Sequence, residues 1–177
     1  MTAGTLTTPV ESAAEQYMHD FQERIQAPGL AWAVIHGDRV VQRGAWGRDG
    51  DGAPMTGSTP FLLGSTSKSV TALAVAQLAE QKRVNLDGTA VTYLPWLRLD
   101  DMDRARSVTV RQLLTHTSGL PQVWSETLTD RYDNSTGGLQ RSVRDLAELP
   151  VHEQRYEYSD ANYMILGALV EQVSGTT

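Results

Sequence analysis

The stretch SVTALAVAQLAEQ, residues 69–81, constrains this chain more than any other. Val70, Ala72, Leu73, Ala74, Val75, Ala76, Leu78 and Ala79 leave a helix apolar on nearly every face. A helix of that kind is buried, so the fold is expected to wrap other elements around it. Its start breaks a local rule. The amino end of a helix carries partial positive charge and disfavours a cation, yet Lys68 stands in the expected first turn, three residues after Ser65. Residues three apart on a helix share a face.

Helix-end charge and burial both act against the ammonium form, so the sequence predicts a lowered Lys68 pKa. A neutral amine beside a serine hydroxyl can take its proton and turn a weak nucleophile into a useful one. The Ser65 backbone N–H, at the helix start, is placed to help hold a developing oxyanion. The plain alternative is that Ser65 caps the helix and Lys68 reaches to solvent, and the Ser-x-x-Lys tetrad alone does not decide between the two.

Composition narrows the function classes. The chain has 177 residues, 40% apolar and 20% charged, with a net charge of −6. No basic cluster is visible, which argues against a nucleic-acid partner. With no cysteine, disulfides, thiol nucleophiles and thiolate metal sites are excluded. His19, His36, His116 and His152 are scattered without metal-ligand spacing, and no metal or organic cofactor is expected. No apolar run approaches the ~20 residues of a membrane span. The first 25 residues lack a signal-peptide core, so the chain is either cytoplasmic or exported by a signal outside this sequence.

Along the chain, residues 1–9 read as a flexible N-terminus. Val10, Ala14, Tyr17, Met18, Phe21 and Ile25 recur at helical spacing, and Pro28-Gly29 stops that helix. LAWAVIH (30–36) and RVVQRGAW (39–46) read as strands joined by a Gly37-Asp38 turn. DGDG in the following loop hints at calcium, but Ala53 and Pro54 break an EF-hand pattern, and a solvated turn is the better reading. SVTVRQLLTHTSGL (107–120) predicts a short helix capped by Thr109 and closed near Gly119. Ser125 to Gly138 reads as polar loop, and Asn134-Ser135-Thr136 within it matches a glycosylation sequon common by chance. Leu139, Val143 and Leu146 define another helix, stopped by Pro150. A last helix runs from about Ala161 to Ser174, with Met164, Ile165, Leu169 and Val173 toward the core. Two strands are few, because a lone hairpin is marginal in water.

FLLGSTSKSVTALAVAQLAEQKRVNLD, YLPWLRL, VTVRQLLTHTSGLP and YEYSDANYMILGALVEQVSG follow one another in an order that resembles the serine beta-lactamase-related family of class C beta-lactamases, D-alanyl-D-alanine carboxypeptidases and esterases. The resemblance covers about residues 10–177. It implies an α+β, beta-lactamase/transpeptidase-like fold, of which residues 10–177 form the amino-terminal part of one domain. It implies Ser65 as the acylated nucleophile, Lys68 as its partner and Tyr158 as the tyrosine of the family's Tyr-x-Asn motif. A phenol beside an ammonium is pushed toward phenolate, so Tyr158 is expected to share proton transfer with Lys68. His116 and Ser118, within HTSGL, read as structural.

Two departures stand out. Asp160 occupies the place of the motif's asparagine, and a carboxylate only accepts hydrogen bonds where an amide also donates. Asp160 is therefore expected to face the substrate and to favour an ester or peptide over a penicillin-type amide. The third family motif, a Lys-Thr-Gly or His-x-Gly on a later strand, is absent, and the missing carboxy-terminal part of the domain is the expected partner. The resemblance implies acyl-enzyme hydrolysis of ester or amide bonds in small molecules or peptides. The competing expectation is a non-catalytic binding or sensor protein, or an inactive and poorly stable fragment.

Overall fold

A computed structural model describes residues 9–122 and 135–176. The flexible N-terminus expected over residues 1–9 lies outside the described residues except for Pro9, which is already helical, and so do residues 125–134 of the polar loop expected over 125–138, with Asn134 of the sequon. The chain divides into two compact units, Met1–Leu62 and Leu63–Thr177.

The first unit holds α1 (Pro9–Ile25), β1 (Gly29–His36) and β2 (Arg39–Gly47). The expected helix and both expected strands are present. The strands pair antiparallel from Gly29 opposite Gly47 to Val34 opposite Gln42. The register then shifts, Ile35 faces Val40, and Val41 is left as the extra residue of a bulge. Gly37 turns the hairpin at φ +63°, a conformation that costs a side chain with Cβ but not glycine. Trp32 and Trp46 stack at 5.7 Å between centroids. In the loop beyond, Asp49 accepts hydrogen bonds from the backbone N–H groups of Asp51 and Ala53 at 3.1 and 2.9 Å. The DGDG run is thus a side-chain-closed turn. Among the described residues no group of three histidine or acidic side chains is placed to hold a metal ion.

The second unit is helical: a 3-10 turn at Gly64–Thr66, α2 (Ser67–Glu80), α3 (Ala90–Tyr93), α4 (Met102–Ala105), α5 (Val110–Leu114), α6 (Gly138–Arg144) with a 3-10 extension over Asp145–Glu148, and α7 (Asp160–Ser174). Helix α7 is its axis, with α2, α3, α5 and α6 packed against it. Ala161, Ile165, Leu166, Ala168 and Leu169 of α7 are buried with Leu94, Leu97, Val110, Leu113, Leu120 and Val143. Gly175 ends α7 in the left-handed conformation. Helix α5 starts with a capping box: Thr109 Oγ1 accepts from the Gln112 N–H, and Gln112 Oε1 accepts from the Thr109 N–H. Among the described residues no helix is long and apolar enough to cross a membrane.

Two local expectations are corrected. Helix α5 ends at Leu114, and the first left-handed residue after it is His116, at φ +57°. Gly119 is also left-handed, but in the loop that follows. Helix α2 is not buried all round. Val75 and Leu78 are covered, whereas Val70 and Leu73 stand 64% and 60% exposed, because α2 packs one face on α7 rather than being enclosed by it.

Candidate active site

The site lies wholly in the second unit. The chain turns sharply before α2, with Gly64 at φ +53°. That turn sets Ser65 in the 3-10 segment and Lys68 in the first turn of α2. Lys68 Nζ lies 3.1 Å from Ser65 Oγ. From the other end of the chain, Tyr158 brings its hydroxyl to 2.8 Å from the same Oγ. Serine, lysine and tyrosine therefore meet at one oxygen. Neither plain reading holds: Thr66 rather than Ser65 is the N-cap, and the Lys68 side chain is only 16% exposed.

Asp160 completes the cluster from the first turn of α7. Its Oδ1 accepts from Lys68 Nζ at 2.5 Å, and its Oδ2 accepts from Gln122 Nε2 at 2.9 Å. Gln122 in turn accepts the Asp160 backbone N–H at 2.9 Å through Oε1, capping α7 from outside the helix. The side chain expected to face the substrate thus spends both carboxylate oxygens on neighbours.

That contact overturns the expected charge state of Lys68. Burial acts against the ammonium, as the sequence implied, but the hydrogen bonds to Asp160 and Tyr158 and the negative charge of Asp160 outweigh it, and the pKa is raised. Burial acts on Asp160 too, and its hydrogen bonds to Lys68 and Gln122 still hold its pKa below the usual carboxylate range. Lys68 and Asp160 are a charged pair. The expectation for Tyr158 agrees in direction with the structure: the hydrogen bond to Lys68 is the largest cause of its lowered pKa, followed by that to Ser65. The Lys68 ammonium also lies 4.9 Å from the centre of the Tyr158 ring and 5.8 Å from that of Tyr163.

His116 and Ser118 also reach the site's edge. The His116 ring stacks on Tyr158 at 4.5 Å, and its Nδ1 accepts the Ser159 N–H at 3.1 Å. Ser118 is buried and donates to Asn162 Oδ1 at 2.6 Å. Gln122 and Asn162 were missed by sequence reasoning. A usable signal existed for Asn162, which interrupts the apolar face of α7 between Ala161 and Ile165.

The family model described as Beta-lactamase matches residues 14–177. The chain belongs to the beta-lactamase family. Its fold is that of the family in part: the octameric penicillin-binding protein homologue from Pyrococcus abyssi superposes with a TM-score of 0.77 at 26% identity, over 96% of this chain and 40% of that one. The hydrolase EstCE1, described as having promiscuous acyltransferase activity, superposes with a TM-score of 0.72 at 29% identity, over 93% of this chain and 48% of its own. In sequence, the teichoic acid D-alanine hydrolase of Staphylococcus aureus is 29% identical over 124 residues, 70% of this chain and 29% of that protein. The chain spans about a third of the length of the curated relatives it matches. The α+β fold is thus an incomplete beta-lactamase/transpeptidase-like domain, as the family resemblance implied.

Proposed function

We propose that the protein is a serine hydrolase that works through a covalent Ser65 acyl-enzyme on ester or amide bonds of small molecules or peptides. The observation that carries this reading is the convergence of Lys68 Nζ and the Tyr158 hydroxyl on Ser65 Oγ, at 3.1 and 2.8 Å. Relatives described as a hydrolase and as a hydrolase with acyltransferase activity support it.

The raised Lys68 pKa and the lowered Tyr158 pKa favour Tyr158 over Lys68 as the proton carrier in this reading. Lys68 stays an ammonium, pinned by Asp160, and its charge makes the Tyr158 phenolate accessible. The phenolate takes the Ser65 hydroxyl proton as Oγ bonds to the substrate carbonyl carbon. The carbonyl π pair moves to oxygen, and the Ser65 N–H donates to that oxyanion. As the tetrahedral adduct collapses, the bond to the leaving oxygen or nitrogen breaks and Tyr158 gives that atom its proton. Water then repeats the sequence on the acyl-enzyme, losing its proton to Tyr158 and returning Ser65 to its free form. A second oxyanion donor is assigned to the carboxy-terminal part of the domain, which is the partner this reading requires.

The test is covalent labelling of the complete protein with a fluorophosphonate, with the adduct located by mass spectrometry. One adduct, on Ser65 and absent from Ser65→Ala, is expected. A label elsewhere, or one undiminished in Ser65→Ala, would overturn the nucleophile assignment.

A further inference from the structure

His116 holds the backbone on both sides of Tyr158. Its carbonyl accepts the Glu157 N–H at 2.8 Å, its ring stacks on Tyr158, and its Nδ1 accepts the Ser159 N–H at 3.1 Å. Residues 157, 158 and 159 are thus tied to a single side chain and its own carbonyl. His116 does this from a left-handed backbone, which few side chains adopt and which its neighbours must hold in place.

The ring's protonation follows from a chain of buried donors. Ser118 Oγ accepts the Leu120 N–H at 3.1 Å, so its hydroxyl proton is free to go to Asn162 Oδ1 at 2.6 Å. That contact orients the Asn162 amide, leaving its Nδ2 hydrogens toward His116 Nδ1 at 3.2 Å. Nδ1 thus receives two donors, Asn162 Nδ2–H and Ser159 N–H, and has room for no proton of its own. Ser118, Ser159 and Asn162 are all essentially inaccessible to water, so an unmatched donor there would be costly.

We propose that His116 is a positioning residue for Tyr158, locked as the neutral tautomer protonated on Nε2 by the Ser118–Asn162 pair, and that protonating its Nδ1 unseats Tyr158 and disables the site. This rests on the reading of Tyr158 as the proton carrier for Ser65. The titratable and charged groups facing the ring are Lys68 from α2, Asp160 and Tyr163 from α7, and Tyr156 and Tyr158 from the segment before it. Burial is the largest cause lowering the His116 pKa, with the Lys68 charge next, and both favour the neutral ring. The serine and asparagine of two separate sequence stretches, HTSGL and YSDAN, thereby acquire one joint purpose.

The experiment uses the complete protein with nitrogen-15 histidine. At neutral pH the His116 ring should show an unprotonated Nδ1 and a protonated Nε2; the opposite tautomer overturns the proposal. Asn162→Asp places a carboxylate against Nδ1 and should draw a proton onto it. The His116 titration midpoint should rise, the acid limb of Ser65 fluorophosphonate labelling should move with it to higher pH, and the neutral-pH labelling rate should fall on the order of 10²-fold, the scale for a misplaced reacting group. His116→Asn, which keeps an acceptor near the Nδ1 position and tolerates the left-handed backbone, should retain more labelling than His116→Phe, which keeps only the stack. A raised His116 midpoint with an unchanged labelling profile would sink the proposal. A parent protein whose Ser65 takes no label would instead break the functional reading, while the ring tautomer still reports on the lock by itself.

Discussion

The hairpin unit and the helical unit draw on the same apolar residue types and treat them in opposite ways. In the first, Val34, Ile35, Val40 and Val41 of the two strands are exposed, as are Tyr17 and Ile25 of α1. In the second, Leu94, Leu97, Leu113, Leu120, Leu166 and Leu169 are all but inaccessible, arranged around α7. The difference is geometric. A hairpin has two faces and two edges to cover, whereas a helix crossed by four others closes its own core. Helix α2 shows both behaviours in one element, with Val75 covered and Val70 bare. An apolar pattern therefore says that a face needs a partner, and the tertiary structure says whether it has one.

If the helical unit carries function as well as core, its largest response should come from the charge at its centre. Lys68→Met keeps length but removes the ammonium. It is expected to fold and to lose about 10²–10³-fold in Ser65 acylation rate, the scale for one preorganised electrostatic group. Because Lys68 is the main cause of the lowered Tyr158 pKa, residual acylation should shift to higher pH. A pH-rate profile with near-parental rate and no alkaline shift would remove Lys68 from the mechanism.

The core should respond next. Leu166→Ala, at a fully buried position on α7, is expected to cost about 2–5 kcal/mol in a denaturant melt, from lost transfer energy and a residual cavity. A cost near zero would mean that the core is not packed as described.

Two glycines sharpen the comparison while holding the backbone region constant. Gly37 in the hairpin and Gly119 in the helical unit are both left-handed, but a Cβ at Gly37 meets nothing within 4 Å, and one at Gly119 falls 2.3 Å from the His152 carbonyl oxygen. Gly37→Ala should cost about 1–2 kcal/mol, the conformational term alone. Gly119→Ala should cost clearly more, since backbone must also move. Equal losses of melting temperature in the two variants would show that the backbone angle alone matters.

Acid should divide the units in the same direction. The Asp160 pKa is depressed in the folded chain, so its contribution is present above the unfolded carboxylate value and is lost as pH falls through the folded one. The Lys68 pKa is raised, so its contribution is complete below the unfolded lysine value and is lost only as alkaline pH passes the folded one. The pair therefore supports the helical unit from mildly acidic to mildly alkaline pH. The protection of α7 amides, corrected for their intrinsic exchange rate, should fall below the ordinary aspartate range, and Asp160→Asn should lessen that fall. The smallest effect is expected at the bulge: Val41→Thr, on an exposed side chain, should change stability by about 0.5 kcal/mol or less. A larger loss would reveal a hidden partner for the strand.

By itself the sequence determined the elements and the first half of the site. Helical and strand periodicity located α1, both strands and α7, and the spacing of three placed Lys68 beside Ser65, because both are local properties of a regular backbone. Tyr158 became legible only through the order of several motifs along the chain. The tertiary structure alone decided the charge of Lys68. Helix-end position and burial are readable locally and both point to a lowered pKa, but Asp160, 92 positions away, arrives at 2.5 Å and reverses the outcome. It likewise decided that Gln122 would clamp Asp160, that Asn162 would face His116, and that only one side of α2 would be covered. Electrostatic and packing energies depend on distance in space, and separation along the chain does not report that distance.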